Sequence, residues 1–352
     1  VLDFIYDILP SRVIFGAGSL DRLPEEIERL GAKRALVLST PEQREQGADL
    51  ANRLGARAAG VFDRAVMHVP TEIAQAARDE AARVGADCCV SIGGGSTTDL
   101  AKAVALVSKL PILAVPTTYA GSEMTPIWGL TEGGVKKTGR DPRVLPKTVI
   151  YDPTLTVSIP PQFSATSAFN AIAHCVEALY AKEANPIISM IAEEGIRAFA
   201  RSLPYVIKDP THLDARSDVL CGACLGGISL GAVGMALHHK LCHTLVGTFN
   251  LPHAETHTVV LPHAVAYNAP AAPEAMGRIA RGLAAPSAAR GLYDLAASLG
   301  APLSLEALGL KASDLERAAD LAVRNPYYNP RPVTREGVLA LLDDAFAGRP
   351  PR

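Results

Sequence analysis

Five of the nine histidines fall between His238 and His257, and their spacing suits a reactive cluster. His239 and His243 are four apart, so on a helix they share a face; Asn170 and His174 show the same spacing earlier in the chain. His253 comes just after the break Gly247-Thr248-Phe249-Asn250-Leu251-Pro252, which is short enough to fold back toward the same place. Grouped imidazoles support two kinds of chemistry. Three of them with an oxygen donor hold Zn²⁺ or Fe²⁺; without a metal they transfer protons near neutral pH.

A second feature is the run Ile92-Gly93-Gly94-Gly95-Ser96-Thr97-Thr98-Asp99. Its glycines bring backbone N–H groups close to an anion, and a helix starting near Ser96 adds the positive end of its dipole. That combination suits a pyrophosphate. A Rossmann fingerprint would put such a loop in the first βα turn, but there Gly16-Ala17-Gly18 has Asp21 where the third glycine belongs. A polar run from Pro116 to Thr125 follows a later strand, and the hydroxyls of Thr117, Thr118 and Ser122 suit a cofactor ring or ribose.

Such residues need a frame to hold them. A chain of 352 residues, 48% apolar, has room for two domains and for a core that needs no metal or disulfide staple. Its 34 basic and 36 acidic side chains, formal charge −2, exclude the basic stripe of a nucleic-acid binder. No apolar run approaches the ~18 residues of a membrane span, and Val1–Asp7 lacks the basic start and apolar core of a signal peptide. The chain is therefore expected in the cytoplasm, where its six cysteines stay reduced. Cys221-Gly-Ala-Cys224 has no second half for a zinc site and reads as two buried side chains on an apolar helix.

Strands are predicted at Ala35–Leu38, Ala58–Phe62, Cys88–Ile92 and Ile112–Val115. Helices are predicted at Thr71–Gly85, capped by Thr71, and at Ser96–Ser108. This alternation specifies βαβ units and a parallel sheet. After Pro160-Pro161 longer helical patterns take over: Ser164–Ala181, Asn185–Arg201, Ala215–Val246, Pro273–Leu299 and a shorter set to Phe346. The fold class is α/β plus all-α, with domains at 1–158 and 159–352. Glycines at 222, 226, 227, 231 and 234 each cost up to ~1 kcal/mol inside a helix, so that helix is expected to be central and closely packed. The apolar segment Leu2–Leu9 suits an edge strand, within the chain or against a second copy, and a homodimer is expected on that basis.

Together these motifs resemble the iron-containing (group III) alcohol dehydrogenase family. The carriers are Gly93-Gly94-Gly95-Ser96 with Asp99 and Lys102, Pro116-Thr117-Thr118 with Gly121-Ser122-Glu123 and Thr125, and His239 with His243 and Pro252-His253. The match runs from Phe15-Gly16 to Asn329-Pro330-Arg331. The resemblance implies a dehydroquinate synthase-like fold, with an N-terminal parallel-sheet dinucleotide-binding domain and a C-terminal helical domain for substrate and metal. It implies NADH or NADPH, held by Ser39, Gly93, Gly94, Gly95, Ser96, Asp99, Thr117, Thr118, Ser122 and Lys147. The family's divalent-metal positions, one Asp and three His, fall on Asn170, His174, His239 and His253.

Two departures shape the functional expectation. Asn170 stands where the family has aspartate, and an amide is a poorer ligand for a hard cation. Lys240 follows His239 directly and adds positive charge. Such a pocket suits a small anionic substrate, and a metal is not expected to be required. With His238–Leu245 and Arg324–Pro330, these features resemble the branch that reduces the C=C bond of maleylacetate, a dicarboxylate, to 3-oxoadipate in bacterial degradation of aromatic compounds. By that resemblance His243 or His253 is the acid, His239 a further catalytic candidate, and Lys240 and Arg324 the carboxylate partners. Ser39-Thr40-Pro41 places no aspartate against a 2′-phosphate, which leaves both nucleotides open. The alternative is a metal-dependent alcohol or aldehyde dehydrogenase of the same family. A dehydroquinate synthase-type lyase and a non-catalytic nucleotide-binding module account for fewer of these residues.

Overall fold

The computed structural model describes residues 4–324 and 327–351. The chain divides into two compact units, one of Ile8–Val157 and one from Ser158 onward that includes the residues ahead of Ile8.

The first unit is built on a wholly parallel six-stranded sheet. In chain order the strands are β1 (Arg12–Phe15), β2 (Ala35–Leu38), β3 (Ala58–Phe62), β4 (Cys88–Gly93) and β5 (Ile112–Pro116), then the separate hairpin β6 (Ile127–Glu132) and β7 (Val135–Arg140), then β8 (Thr148–Tyr151). The sheet order is β1-β8-β5-β4-β2-β3. Four helices accompany it: α1 (Leu23–Arg29), α2 (Arg44–Leu54), α3 (Thr71–Arg83) and α4 (Gly95–Ser108). Strands β2, β4, β5 and β8 are buried along their whole length, as expected of strands covered on both faces. Alternation along β2 shows both layers: Ala35 and Val37 pack with Ile27 and Leu50, Leu36 and Leu38 with Ala77 and Leu100. The chain passes from β2 to β3 on one side, then to β4 and β5 on the other. The order therefore reverses between β2 and β4, and open α/β sheets bind ligands beyond the carboxyl ends of strands at such a point.

Two local expectations for this unit are corrected. The edge strand is β1; Phe4–Ser11 forms no strand, and Leu2 lies outside the described residues. Thr71 is the first residue of α3 rather than its cap, which is Pro70, with no side-chain cap bond.

The second unit is helical. Its elements are α5 (Pro161–Leu179), α6 (Pro186–Lys208), α7 (Leu213–Ala232), α8 (Leu237–Phe249), α9 (His253–Asn268), α10 (Pro273–Leu283), α11 (Ala288–Ser298), α12 (Leu315–Val323) and α13 (Arg335–Phe346). Asn185 caps α6, its Oδ1 accepting from the N–H groups of Ile187 and Ile188 at 3.1 Å. Helix α7 takes the central place expected of it. A methyl group on Gly226 would stand 2.9 Å from the Ala171 carbonyl oxygen of α5, and one on Gly222 would stand 3.0 Å from the Phe199 ring of α6. The glycines let the neighbouring helices close in, which offsets their cost in helix propensity.

Two long helices expected from the sequence are broken. Ala215–Val246 is α7 and α8, bent by 97°, so His239 and His243 belong to α8 and not to the glycine-rich helix. Pro273–Leu299 is α10 and α11, parted after Ala284 turns left-handed at φ 51°. Apolar patterning continues across both breaks, so periodicity alone does not show them. Cys224 is buried as expected, but Cys221 is exposed, and all six cysteines are free. Among the described residues no single helix is long and apolar enough to cross a membrane.

Candidate active site

The carboxyl ends of β4 and β5 carry the phosphate-binding features. Gly93 has φ 140°, and a side chain there would strike the Gln43 carboxamide and come within 2.9 Å of Thr97. A Cβ on Gly94 would meet Thr118 Oγ1 at 2.9 Å. Both positions therefore require glycine, and the crowding holds the loop in one shape. Helix α4 begins at Gly95 with no side-chain cap, which leaves its first N–H groups and dipole to an anion. Thr117 N–H donates to Gly93 O at 2.8 Å, joining the two loops, and half-buried Ser96 sits in the first turn. Gln43, unpredicted, donates to Thr117 Oγ1 at 2.9 Å.

Asp99 and Ser122 face each other. The Ser122 hydroxyl donates to Asp99 Oδ1 at 2.5 Å. Beneath them Lys102 Nζ, fully buried, lies 2.6–2.9 Å from Ser122 O, Ser122 Oγ, Thr125 Oγ1 and Ile127 O, four acceptors that share its three N–H groups. Burial lowers the Lys102 pKa to about 8, against the pull of Asp99 and Glu123.

Two residues expected to hold the nucleotide depart from that expectation, Ser39 in the direction of its hydroxyl and Lys147 in its place. Ser39 is fully buried with its hydroxyl turned toward Gly47, where a Cβ would stand 2.6 Å away. Lys147 precedes β8, and its N–H donates to Ile112 O at 2.8 Å. It lies at the amino end of the parallel strands, across the sheet from the glycine loop. Lys147 reads from the sequence as one more basic residue near a strand; only the register of β8 shows which end it occupies.

In the helical unit, α5 presents Asn170, His174 and Glu177 at i, i+4 and i+7. The His174 and His239 rings stack with centroids 5.1 Å apart. Helix α8 adds His238 and exposed His243, whose ring lies 6.1 Å from that of His239. Helix α9 contributes half-buried His253 at its first turn and buried His257 one turn on, with centroids 4.4 Å apart. The fold thus brings the separate histidines together. Burial, reinforced by their mutual repulsion, holds His174, His239 and His257 well below the ordinary imidazole range. His238 is lowered to about 3 by burial and by His239. Burial therefore favours the neutral form of the inner imidazoles.

Glu177 is fully buried behind them. Its Oε1 accepts from the His238 N–H at 2.8 Å. Its Oε2 accepts from the Ala236 N–H at 2.9 Å and lies 2.8 Å from His239 Nδ1. Burial raises its pKa, while neighbouring His238 and the N–H groups pull it back. Among the described residues, Asn170 Oδ1, His174 Nδ1, His239 Nε2 and both ring nitrogens of His257 are buried without a hydrogen-bond partner. Groups of this kind await a bound molecule or water. Lys240 lies 5.8 Å from the Tyr327 ring. Arg324 is exposed at the end of α12, which packs on α8, and the neighbouring Asn325 and Pro326 lie outside the described residues.

The family's metal positions offer a dication only neutral donors. The donors are three imidazoles and an amide, with no carboxylate among them to offset the charge. Imidazole ligand atoms of His238, His239 and His257 lie within 4.8 Å of one another.

Sequence reasoning missed Gln43, Glu177 and His257. The last two had a signal: His257 follows His253 by four, the spacing already applied to the other pairs, and Glu177 follows His174 by three, which also shares a helix face. Gln43 had none, because the turn that carries it is placed by the sheet.

Known proteins agree with this geometry. Residues 10–153 match the model of the iron-containing alcohol dehydrogenase family and residues 164–346 that of the Fe-containing alcohol dehydrogenase family, C-terminal. A maleylacetate reductase of Burkholderia cepacia is 59% identical over 98% of both chains, and one of Sphingobium indicum 58% over 99% of both. The crystal structure of maleylacetate reductase from Agrobacterium tumefaciens superposes with a TM-score of 0.98 over 100% of both chains at 53% identity. These matches over both units place this chain in the iron-containing alcohol dehydrogenase family.

Proposed function

We propose that this chain reduces the C=C bond of maleylacetate to 3-oxoadipate with NADH or NADPH. The observation that carries the reading is the neutral wall of Asn170, His174 and His239, none of which is itself a carboxylate, with Lys240 next to His239 in the chain. The buried carboxyl that touches this cluster, Glu177, is occupied by N–H groups. Such a wall favours a dicarboxylate over an uncharged alcohol, and relatives 58–59% identical over nearly their full length are named maleylacetate reductases.

Nicotinamide, when bound, would supply the hydride for the alkene carbon β to the ketone. Electrons shift onto the ketone oxygen, and the enolate that forms needs hydrogen-bond donors around it. Lys240 and Arg324 are the cations for the two carboxylates. His243 or His253, at the accessible side of the cluster, returns a proton to the carbon next to the ketone. On this reading the reaction proceeds without a bound metal. The glycine loop and the α4 N-terminus hold the pyrophosphate, and Ser39-Thr40-Pro41 repels neither nucleotide.

Exposed Val13 and Phe15 on the edge strand, with exposed Ile8 ahead of it, support a homodimer. Six free thiols suit the cytoplasm. The deciding experiment follows nicotinamide absorbance with NADH and maleylacetate, beside NAD⁺ and a primary alcohol with added Fe²⁺ or Zn²⁺. Turnover only in the second assay establishes the alcohol dehydrogenase alternative instead.

A further inference from the structure

The Glu177 carboxyl oxygens face three nitrogens. Two are backbone N–H groups, of Ala236 and His238, which can only donate; the third is His239 Nδ1. A carboxylate satisfies all three as an acceptor. A protonated carboxyl would reverse the third bond and place the proton of His239 on Nε2.

His238 decides between these arrangements. Its Nε2 lies 3.0 Å from the His257 carbonyl oxygen, so that nitrogen carries hydrogen. In a neutral ring its Nδ1 is then a lone pair, and this lone pair lies 3.4 Å from His239 Nδ1. Two lone pairs at that distance repel, whereas a hydrogen on His239 Nδ1 can be shared between Glu177 and His238. We propose that Glu177 is a positioning residue which locks His239 as its Nδ1–H tautomer, leaving Nε2 as an acceptor within the histidine cluster.

The same carboxylate explains the bend between α7 and α8. Ala236 and His238 flank the start of α8, whose first N–H groups have no partner inside the helix, and Glu177 supplies one from α5. Helix start and imidazole orientation are therefore set by one side chain. His239 accepts in this state, so the proton that completes the reduction comes from another histidine. That last consequence rests on the reductase reading; the tautomer does not.

The test is two-bond ¹H–¹⁵N NMR of ¹⁵N-histidine-labelled protein, with His239→Gln identifying the His239 signals. Expected is a protonated, pyrrole-type shift at Nδ1 and a pyridine-type shift at Nε2; the reverse pattern overturns the proposal even if Glu177 variants fail to fold. In folded Glu177→Gln, the expected results are loss of the single tautomer and a kcat lowered about 10- to 100-fold with NADH affinity unchanged. A folded variant that keeps both tautomer and kcat overturns it. If the wild type does not reduce maleylacetate, the functional reading fails and the spectrum alone decides the tautomer.

Discussion

Gln43 donates a 2.9 Å hydrogen bond to Thr117 and thereby ties the turn after β2 to the turn after β5. The Gln43 carboxamide also lies against Gly93, so the phosphate loop is held from above as well as from its own strand. Gln43→Ala should raise the dissociation constant for NADH about 2- to 10-fold, the worth of one ordinary hydrogen bond. Fluorescence titration measures it; an unchanged constant would show that the loop needs no such brace.

Gly93→Ala is a sharper perturbation. It places a side chain at φ 140° and against both Gln43 and Thr97. The strain is about 1–3 kcal/mol, visible as a lower urea midpoint, and nucleotide binding should weaken along with it. A variant of native stability and affinity would mean that the backbone relaxes freely here.

Much of this arrangement is legible in the sequence. The β2 and β3 bounds, the glycine loop and the crowded helix around Gly226 follow from burial, strand-to-helix context and glycine content. Illegible features depend on distant chain segments. The bend after Ala232 needs a carboxylate from α5, Lys147 needs the register of β8, and Gln43 needs a sheet to carry it to Thr117. Periodicity reports what a segment buries, not where another segment interrupts it.

The proton donor can be found by substitution. Either His243→Ala or His253→Ala should lower kcat with maleylacetate about 100-fold or more and leave NADH affinity untouched. Stopped-flow and equilibrium binding separate the two quantities. Retention of kcat in both would remove the exposed histidines from the chemistry.

Metal dependence has an equally direct check. Chelator-treated protein, shown metal-free by elemental analysis, should retain its maleylacetate reductase activity. Loss of activity that Fe²⁺ or Zn²⁺ restores would assign Asn170, His174, His239 and His253 a ligand role despite the missing carboxylate.

Lys102 links protonation to folding. Its pKa is about 8 in the fold against 10.5 for an ordinary lysine, so between these pH values the unfolded chain binds more protons than the native one. Stability should therefore gain from this residue as pH rises through that window, and the burial penalty should be fully present below it. The penalty is about 3 kcal/mol at most, by 1.36 kcal/mol per pH unit. Lys102→Met should flatten the rise while lowering stability overall, because four oxygen acceptors lose their donor. Urea midpoints of both proteins across the alkaline range read the difference.

The inward turn of the Ser39 hydroxyl toward Gly47 matters for anyone redesigning nucleotide preference. Installing an acid at the tip of the second strand is an obvious recipe for rejecting a phosphorylated ribose. At position 39 the new charge would be driven into sealed helix–sheet packing and would spoil folding before it altered selectivity. Half-buried Thr40 and its exposed neighbours Pro41 and Glu42 are the places where such engineering has room to succeed.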